Sequence, residues 1–142
     1  MAGESRRPAT SLKSDLFEKT SRFEFFQAVR LLHKLHPERA GVGGDDDPER
    51  EVLRFRSDLS YAFPTGDLRE LEAGEDEVPD LLTVNFLGIA TPASFGSLPT
   101  PYVEELRAQE RARNPALRDF FDVFNHRLVS LFYRAWERSR MD

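Results

Sequence analysis

The chain has 142 residues, no cysteine and a net charge of −5 at pH 7, with 39% hydrophobic and 32% charged residues. This composition is typical of globular proteins, and the length suits one domain with one core. The absence of cysteine excludes disulfides, thiolate zinc sites and cysteine nucleophiles. The acidic balance argues against nucleic acid as a partner, because phosphate binding needs a clustered positive field. No apolar run is long enough for direct membrane insertion.

The N-terminal segment 1–14 is polar and shows no periodicity, which predicts a flexible tail ahead of a single domain at 15–142. The first helix is predicted at Arg22–Leu35, where apolar residues recur at helical spacing. Ser21 and Glu24 have the spacing of a capping box, in which each side chain satisfies a backbone N–H at the start of a helix.

Two segments alternate between apolar and polar residues and predict strands, at Val52–Ser57 and Leu81–Gly88. Between them, Asp67–Leu71 is interpreted as a helical turn within an acidic stretch. The loop at 41–48 is rich in glycine and aspartate, but its acidic residues lack the alternating spacing of a calcium loop. We interpret that loop as solvated and expect no metal site.

Two further helices are predicted near the C-terminus. One extends from Thr100 to about Arg113, and the last helix, Ala116–Arg138, begins after Asn114 and a proline. The predicted fold is therefore α+β, with three main helices packed around a small antiparallel sheet. The long, aromatic-rich last helix is expected to be central.

The last helix has apolar side chains over most of its circumference. One stripe contains Leu117, Phe120, Phe124, Leu128, Leu131 and Ala135. A second stripe beside it contains Phe121, Leu128, Phe132 and Trp136. A surface helix needs an apolar stripe of only about 100°, so two sides of this helix should be buried. Either its own domain encloses it, or it is a core helix that also joins a bundle with another subunit.

Several segments carry a resemblance to a known family: FFQAVRLLHKLHP, VLRFRS, AFP, LTVNFLG and, above all, ALRDFFDVFNHRLVSLFYRAWE. Over about Arg22–Arg138 the chain resembles the TssG family, also called the ImpH or VasB family. Family members are longer, so the chain resembles their N-terminal part. Two departures are TPASFGSLP in place of a Gly-Pro-rich turn, and Asn114 where an aspartate is common; asparagine also caps helices well.

The resemblance implies a structural subunit of the type VI secretion baseplate wedge, with no catalytic activity, cofactor or small-molecule substrate. It implies TssF-like and TssK-like partners, and a location in the bacterial cytoplasm where the baseplate docks on the inner-membrane complex. The helix pattern predicts which residues pack against a partner: Phe121, Phe124, Leu128, Phe132 and Trp136. Phe86 and Leu87 are expected either to form an apolar lip for a partner or to pack in the core.

Two rival functions remain open. Asp119, Asp122 and His126 lie about one helical turn apart, a spacing that can support acid/base or metal chemistry in a small hydrolase. We favour a structural role in which the residues around His126 hydrogen-bond across packed elements, since the sequence supplies no nucleophile or oxyanion site beside them. The second rival is a stand-alone adaptor that binds another protein through the same aromatic surface.

Overall fold

The computed structural model describes residues 9–75, 78–86 and 98–140. In chain order, these residues form α1 (Ala9–Glu18), α2 (Phe25–Leu35), β1 (Leu53–Ser57), β2 (Leu68–Glu72), β3 (Asp80–Val84), α3 (Thr100–Arg111) and α4 (Ala116–Ser139). The predicted α+β class is confirmed. Within the described part of the chain, no helix combines the length and apolar character needed to cross a membrane.

Helix α1 occupies the end of the segment predicted to be a flexible tail, while residues 1–8 of that prediction lie outside the described residues. Leu16 of α1 is fully buried in the main core. The hydroxyl of Thr20 donates to the Leu16 carbonyl over 2.8 Å and closes the end of the helix. The folded unit therefore includes α1, so the boundary predicted at residue 15 lies inside a helix.

Helix α2 begins at Phe25 and ends at Leu35, so its predicted end is confirmed. The predicted capping box is wrong, because Glu24 at the N-cap makes no side-chain capping hydrogen bond. Instead, the Phe25 N–H donates to Oδ2 of Asp67, 42 residues further along the chain, over 3.1 Å. The first backbone N–H of α2 is thus paired by a tertiary contact and not by a local capping residue.

The sheet has the order β1–β3–β2, with β3 parallel to β1 and antiparallel to β2. The two predicted strands are present as β1 and β3, but the expectation of an antiparallel sheet holds only for the β2–β3 pair. Strand β3 returns antiparallel to β2 and inserts beside β1, which already runs in the same direction.

The helical turn predicted at Asp67–Leu71 is wrong, since β2 lies there. A shift in the β2–β3 register between Leu68 and Glu70 interrupts the alternation of the strand. Leu68 and Leu71 are consequently both buried although they are three residues apart. That spacing is typical of a helix face, which explains the misinterpretation.

The main core lies between the sheet and helices α1, α2 and α4. Phe25 is at its centre, with ring centroids 5.6 Å from Phe55 of β1 and 6.3 Å from Tyr133 of α4. A smaller apolar cluster around Leu59 and Leu106 joins α3 to the start of α4. The two clusters anchor α4 near both of its ends.

Candidate partner-binding surface

One side of α4 is attached to the backbone of β1. The N–H of Phe55 donates to Nδ1 of His126 over 3.1 Å, and the N–H of Ser57 donates to Oδ1 of Asp122 over 3.2 Å. Arg118 donates to the Ser57 carbonyl over 3.2 Å. Because β1 is an edge strand of the described sheet, these side chains satisfy backbone groups that another strand would otherwise pair.

His126 also connects α4 to the loop before β1. Its Nε2 lies 2.6 Å from Oε2 of Glu51, whose Oε1 accepts a hydrogen bond from the Gly43 N–H over 2.9 Å. Since Nδ1 accepts a hydrogen bond from the Phe55 N–H, Nε2 carries the ring proton and donates a hydrogen bond to Glu51. Burial acts to raise the pKa of Glu51, but the interaction with His126, the Gly43 hydrogen bond and the charge of Arg54 together outweigh it and hold that pKa below its ordinary value.

Asp122 lies in a different electrostatic environment. Its Oδ2 is 3.6 Å from Nε of Arg56 and 3.7 Å from Nε of Arg118, without a direct hydrogen bond to either. Burial raises the pKa of Asp122, and the Ser57 amide and the two guanidinium groups only partly offset this effect. The Asp122 carboxylate therefore attaches α4 to the sheet, although its burial disfavours the charged form.

These contacts confirm the structural interpretation of His126. Nδ1 of His126 and Oδ1 of Asp122 accept hydrogen bonds from strand amides, whereas Asp119 is exposed at the surface. Across residues 9–75, 78–86 and 98–140, no three acidic or histidine side chains are grouped so as to hold a metal ion. The three groups that suggested a hydrolase therefore do not converge on an open site.

The opposite side of α4 exposes a continuous set of large apolar side chains. Each of them has between 43 and 65% of its surface in contact with solvent: Phe120, Val123, Phe124, Leu128, Leu131 and Phe132. We call these six residues the apolar α4 face. One side of the helix lies on the core and the other at the surface, so the described residues do not enclose α4 by themselves.

The residues predicted to pack against a partner divide into two groups. Phe124, Leu128 and Phe132 belong to the apolar α4 face. Phe121 is half-buried in the smaller cluster, and Trp136 is half-buried with its ring stacked on Phe26 at 4.3 Å between centroids. The site prediction omitted Phe120, Val123 and Leu131, although the first apolar stripe already contained two of them.

Phe86 is half-buried, with its ring centroid 5.0 Å from Phe25 and 6.0 Å from Phe132. It thus connects the core to one end of the apolar α4 face. Leu87, the other residue of the predicted lip, lies outside the described residues.

Arginine side chains fix the loop at 41–48 beside α4. Arg134 donates to the Gly43 carbonyl over 2.6 Å, and Arg127 donates to the Gly44 carbonyl over 3.2 Å. In the helical projection, both arginines lie on the side of the apolar α4 face that carries Val123. A polar margin beside an apolar centre is the usual composition of a protein–protein interface.

The family model described as type VI secretion, TssG, matches residues 19–142. This match includes every described element from α2 to α4. The search of curated proteins and the search of solved structures each returned no match. TssG proteins are structural subunits of the type VI secretion baseplate and are not known as enzymes. Because the match extends over most of the sequence, this chain belongs to the TssG family of type VI secretion.

Proposed function

We propose that this chain scaffolds the baseplate wedge by binding TssF-like and TssK-like proteins, and that the apolar α4 face contacts the TssF-like partner. One observation carries the proposal: six large apolar side chains are exposed along one side of a helix whose other side is bonded to the sheet. The corresponding location is the bacterial cytoplasm, at the baseplate docked on the inner-membrane complex.

The energetics favour association at this surface. Apolar area removed from water contributes about 25 cal/mol per Å² before the entropic costs of association are subtracted. The β1 amides donate hydrogen bonds to His126 and Asp122, and Arg118 donates one to β1, so α4 is already held in place. Since a pre-ordered surface loses little conformational entropy on binding, more of the burial energy remains as affinity.

The decisive experiment is co-purification of the Phe124→Asp variant with the TssF-like protein encoded in the same bacterium. Phe124 is half exposed, so a carboxylate there leaves the monomer folded but introduces an unpaired charge into the interface. We expect the complex to be lost. A matched control is Ala108→Asp, which adds the same charge at an exposed position of α3 and should bind normally. A folded Phe124→Asp protein that binds as well as the control would refute the assignment of this face.

Trp136→Ala is also expected to weaken binding, but Trp136 lies outside the apolar α4 face and stacks on Phe26 beside the core. A loss of binding in that variant is informative only if its thermal stability is measured as well. Repeating the assay with a TssK-like protein tests the second partner separately. If neither protein binds and a different one does, the adaptor alternative is correct.

A further inference from the structure

A second surface lies between α2 and the C-terminal end of α4. Three half-buried apolar side chains form the floor of this groove: Phe26 and Leu31 from α2, and Trp136 from α4. The rings of Phe26 and Trp136 are stacked at 16° to one another. These stacked rings pack against each other, and the apolar floor remains partly open to solvent.

Positive charges surround this floor. Arg30 and Lys34 lie one helical turn apart on α2, and Arg140 lies over the Trp136 ring, 4.9 Å from its centroid. In the described part of the chain, none of the three basic groups is in an ion pair. Two like charges at this spacing destabilise a helix when nothing neutralises them.

The charge of the groove is opposite to that of the molecule. The chain as a whole carries −5, whereas the groove has three basic groups and, among its described lining residues, a single acid, Glu24. A concave apolar floor bordered by cations is complementary to a segment that has apolar side chains on one side and carboxylates at its margins.

We infer that this groove binds an acidic amphipathic segment of a partner protein. Apolar side chains of the segment cover Phe26, Leu31 and Trp136, while its carboxylates pair with Arg30, Lys34 and Arg140. Guanidinium groups beside an aromatic ring suit this task, because they pair with carboxylates in a fixed geometry and pack on the ring. This inference rests on the groove residues and does not depend on the proposal for the apolar α4 face.

The test begins with a random peptide library displayed on phage and selected on the full chain. We expect enriched peptides to combine several acidic residues with apolar ones. Trp136 is the only tryptophan of the chain, so its fluorescence reports occupancy of the groove directly. A selected peptide should change this emission with saturable binding. Failure to enrich acidic peptides, or binding that leaves the emission unchanged, overturns the inference.

Charge-reversal variants locate the binding site. Lys34→Glu should weaken the selected peptide by roughly tenfold, the expected effect of replacing one favourable charge contact with a repulsive one. Arg111→Glu makes the same charge change at an exposed position of α3 and should alter affinity by less than about twofold. Equal losses in both variants would indicate attraction to overall charge only and would refute a groove site.

Two further measurements distinguish the groove from the apolar α4 face and from a site of self-association. Phe124→Asp should bind the peptide normally even where it has lost the TssF-like protein, so the two proposals fail independently. Light scattering of the chain alone tests whether the occupant is a second copy. If the chain self-associates and Lys34→Glu abolishes this association, the groove holds a copy of the same chain and the inference is wrong.

Discussion

Glu51 illustrates how single side chains determine the position of α4. The carboxylate is buried, and both of its oxygens accept hydrogen bonds, one from the Gly43 amide and one from the His126 ring. His126 in turn accepts from the Phe55 amide of β1. Because three separate segments meet at one carboxylate, replacing Glu51 should lower the stability of the whole fold.

Glu51→Gln should lower the free energy of unfolding by about 2 kcal/mol, which is typical when a buried donor loses its partner. Glutamine has only one acceptor oxygen, so its NH₂ group would face either Gly43 or His126. Urea denaturation measures the loss. Asp122→Asn serves as comparison and should cost less, because Asp122 accepts one hydrogen bond in the structure. A Glu51→Gln protein as stable as Asp122→Asn would contradict this account.

The pH dependence of stability should have two opposing contributions. The folded-state pKa of Glu51 lies below its reference value of 4.5, so its stabilisation is complete above pH 4.5 and is lost as the pH falls through the folded value. The pKa of Asp122 is raised above its reference value of 3.8, so its contribution is lost as the pH rises through the folded value. Denaturation curves between pH 3 and 5 should therefore decline less steeply toward acid in Glu51→Gln than in the wild type. A steeper decline in Glu51→Gln than in the wild type would contradict the direction assigned to the pKa shift of Glu51.

Gly43 is a second residue whose identity is dictated by tertiary structure. Its φ is +71°, and an added Cβ would lie 3.0–3.1 Å from the Cβ and backbone of Ser130 in α4. Gly43→Ala should therefore lower stability by at least about 1–2 kcal/mol in thermal or urea denaturation. Gly44→Ala is the control, since its nearest contact would be an ordinary 3.5 Å. Equal effects of the two substitutions would show that the close approach to α4 is unimportant.

The helices and the sheet of this fold are joined by hydrogen bonds from side chains to backbone groups that are distant in sequence. Side chains of α4 satisfy the outer edge of β1, and Asp67, beside β2, satisfies the start of α2. Both contacts replace hydrogen bonds that a longer sheet or a local helix cap would supply. The elements are therefore positioned by polar contacts at their ends and edges as well as by the apolar core.

Asp67→Ala should lower the free energy of unfolding by about 1 kcal/mol, the usual value for removing a helix N-cap. Asp67→Asn keeps an acceptor oxygen and should restore most of this stability. Circular dichroism during urea titration measures both variants. Asp45→Ala, in the exposed loop, is the control for simple removal of a negative charge. If Asp67→Ala and Asp45→Ala behave alike, the cap contributes little.

At the scale of the whole molecule, the distribution of apolar surface matters more than its amount. The core is filled by the buried sides of the helices, while the apolar α4 face remains in contact with water. Exposed apolar patches of this kind usually mark sites of association. Net charge opposes self-association only over about a Debye length, roughly 10 Å at moderate salt.

Without a partner, the chain should therefore self-associate at high concentration through the apolar α4 face. Multi-angle light scattering should show a mass that rises with protein concentration and with salt. Phe124→Asp should keep the protein monomeric over the same range, whereas Ala108→Asp should behave like the wild type. A wild-type chain that stays monomeric at every concentration and salt level would contradict this prediction.

Local pattern was sufficient for the elements whose residues repeat regularly. The alternation in β1 and β3 and the long apolar repeat of α4 predicted these elements within a few residues, because each pattern depends only on neighbours along the chain. The same repeat in α4 also contained most of the residues later found exposed at its surface. The family resemblance, too, was visible in the sequence and agrees with the matched family.

Other features depended on residues that are distant in sequence. The bulge in β2 hid its alternation, the cap of α2 came from Asp67, and α1 carried too little apolar pattern to be recognised as a helix. The sequence predicted that the two apolar stripes of α4 are its buried sides, but in the structure the buried side is a third one, formed by Asn125, His126, Val129, Ser130 and Tyr133. That choice is physical: Asp122 and His126 satisfy the edge of β1, so the side of α4 that carries them faces the sheet and the opposite apolar side faces water.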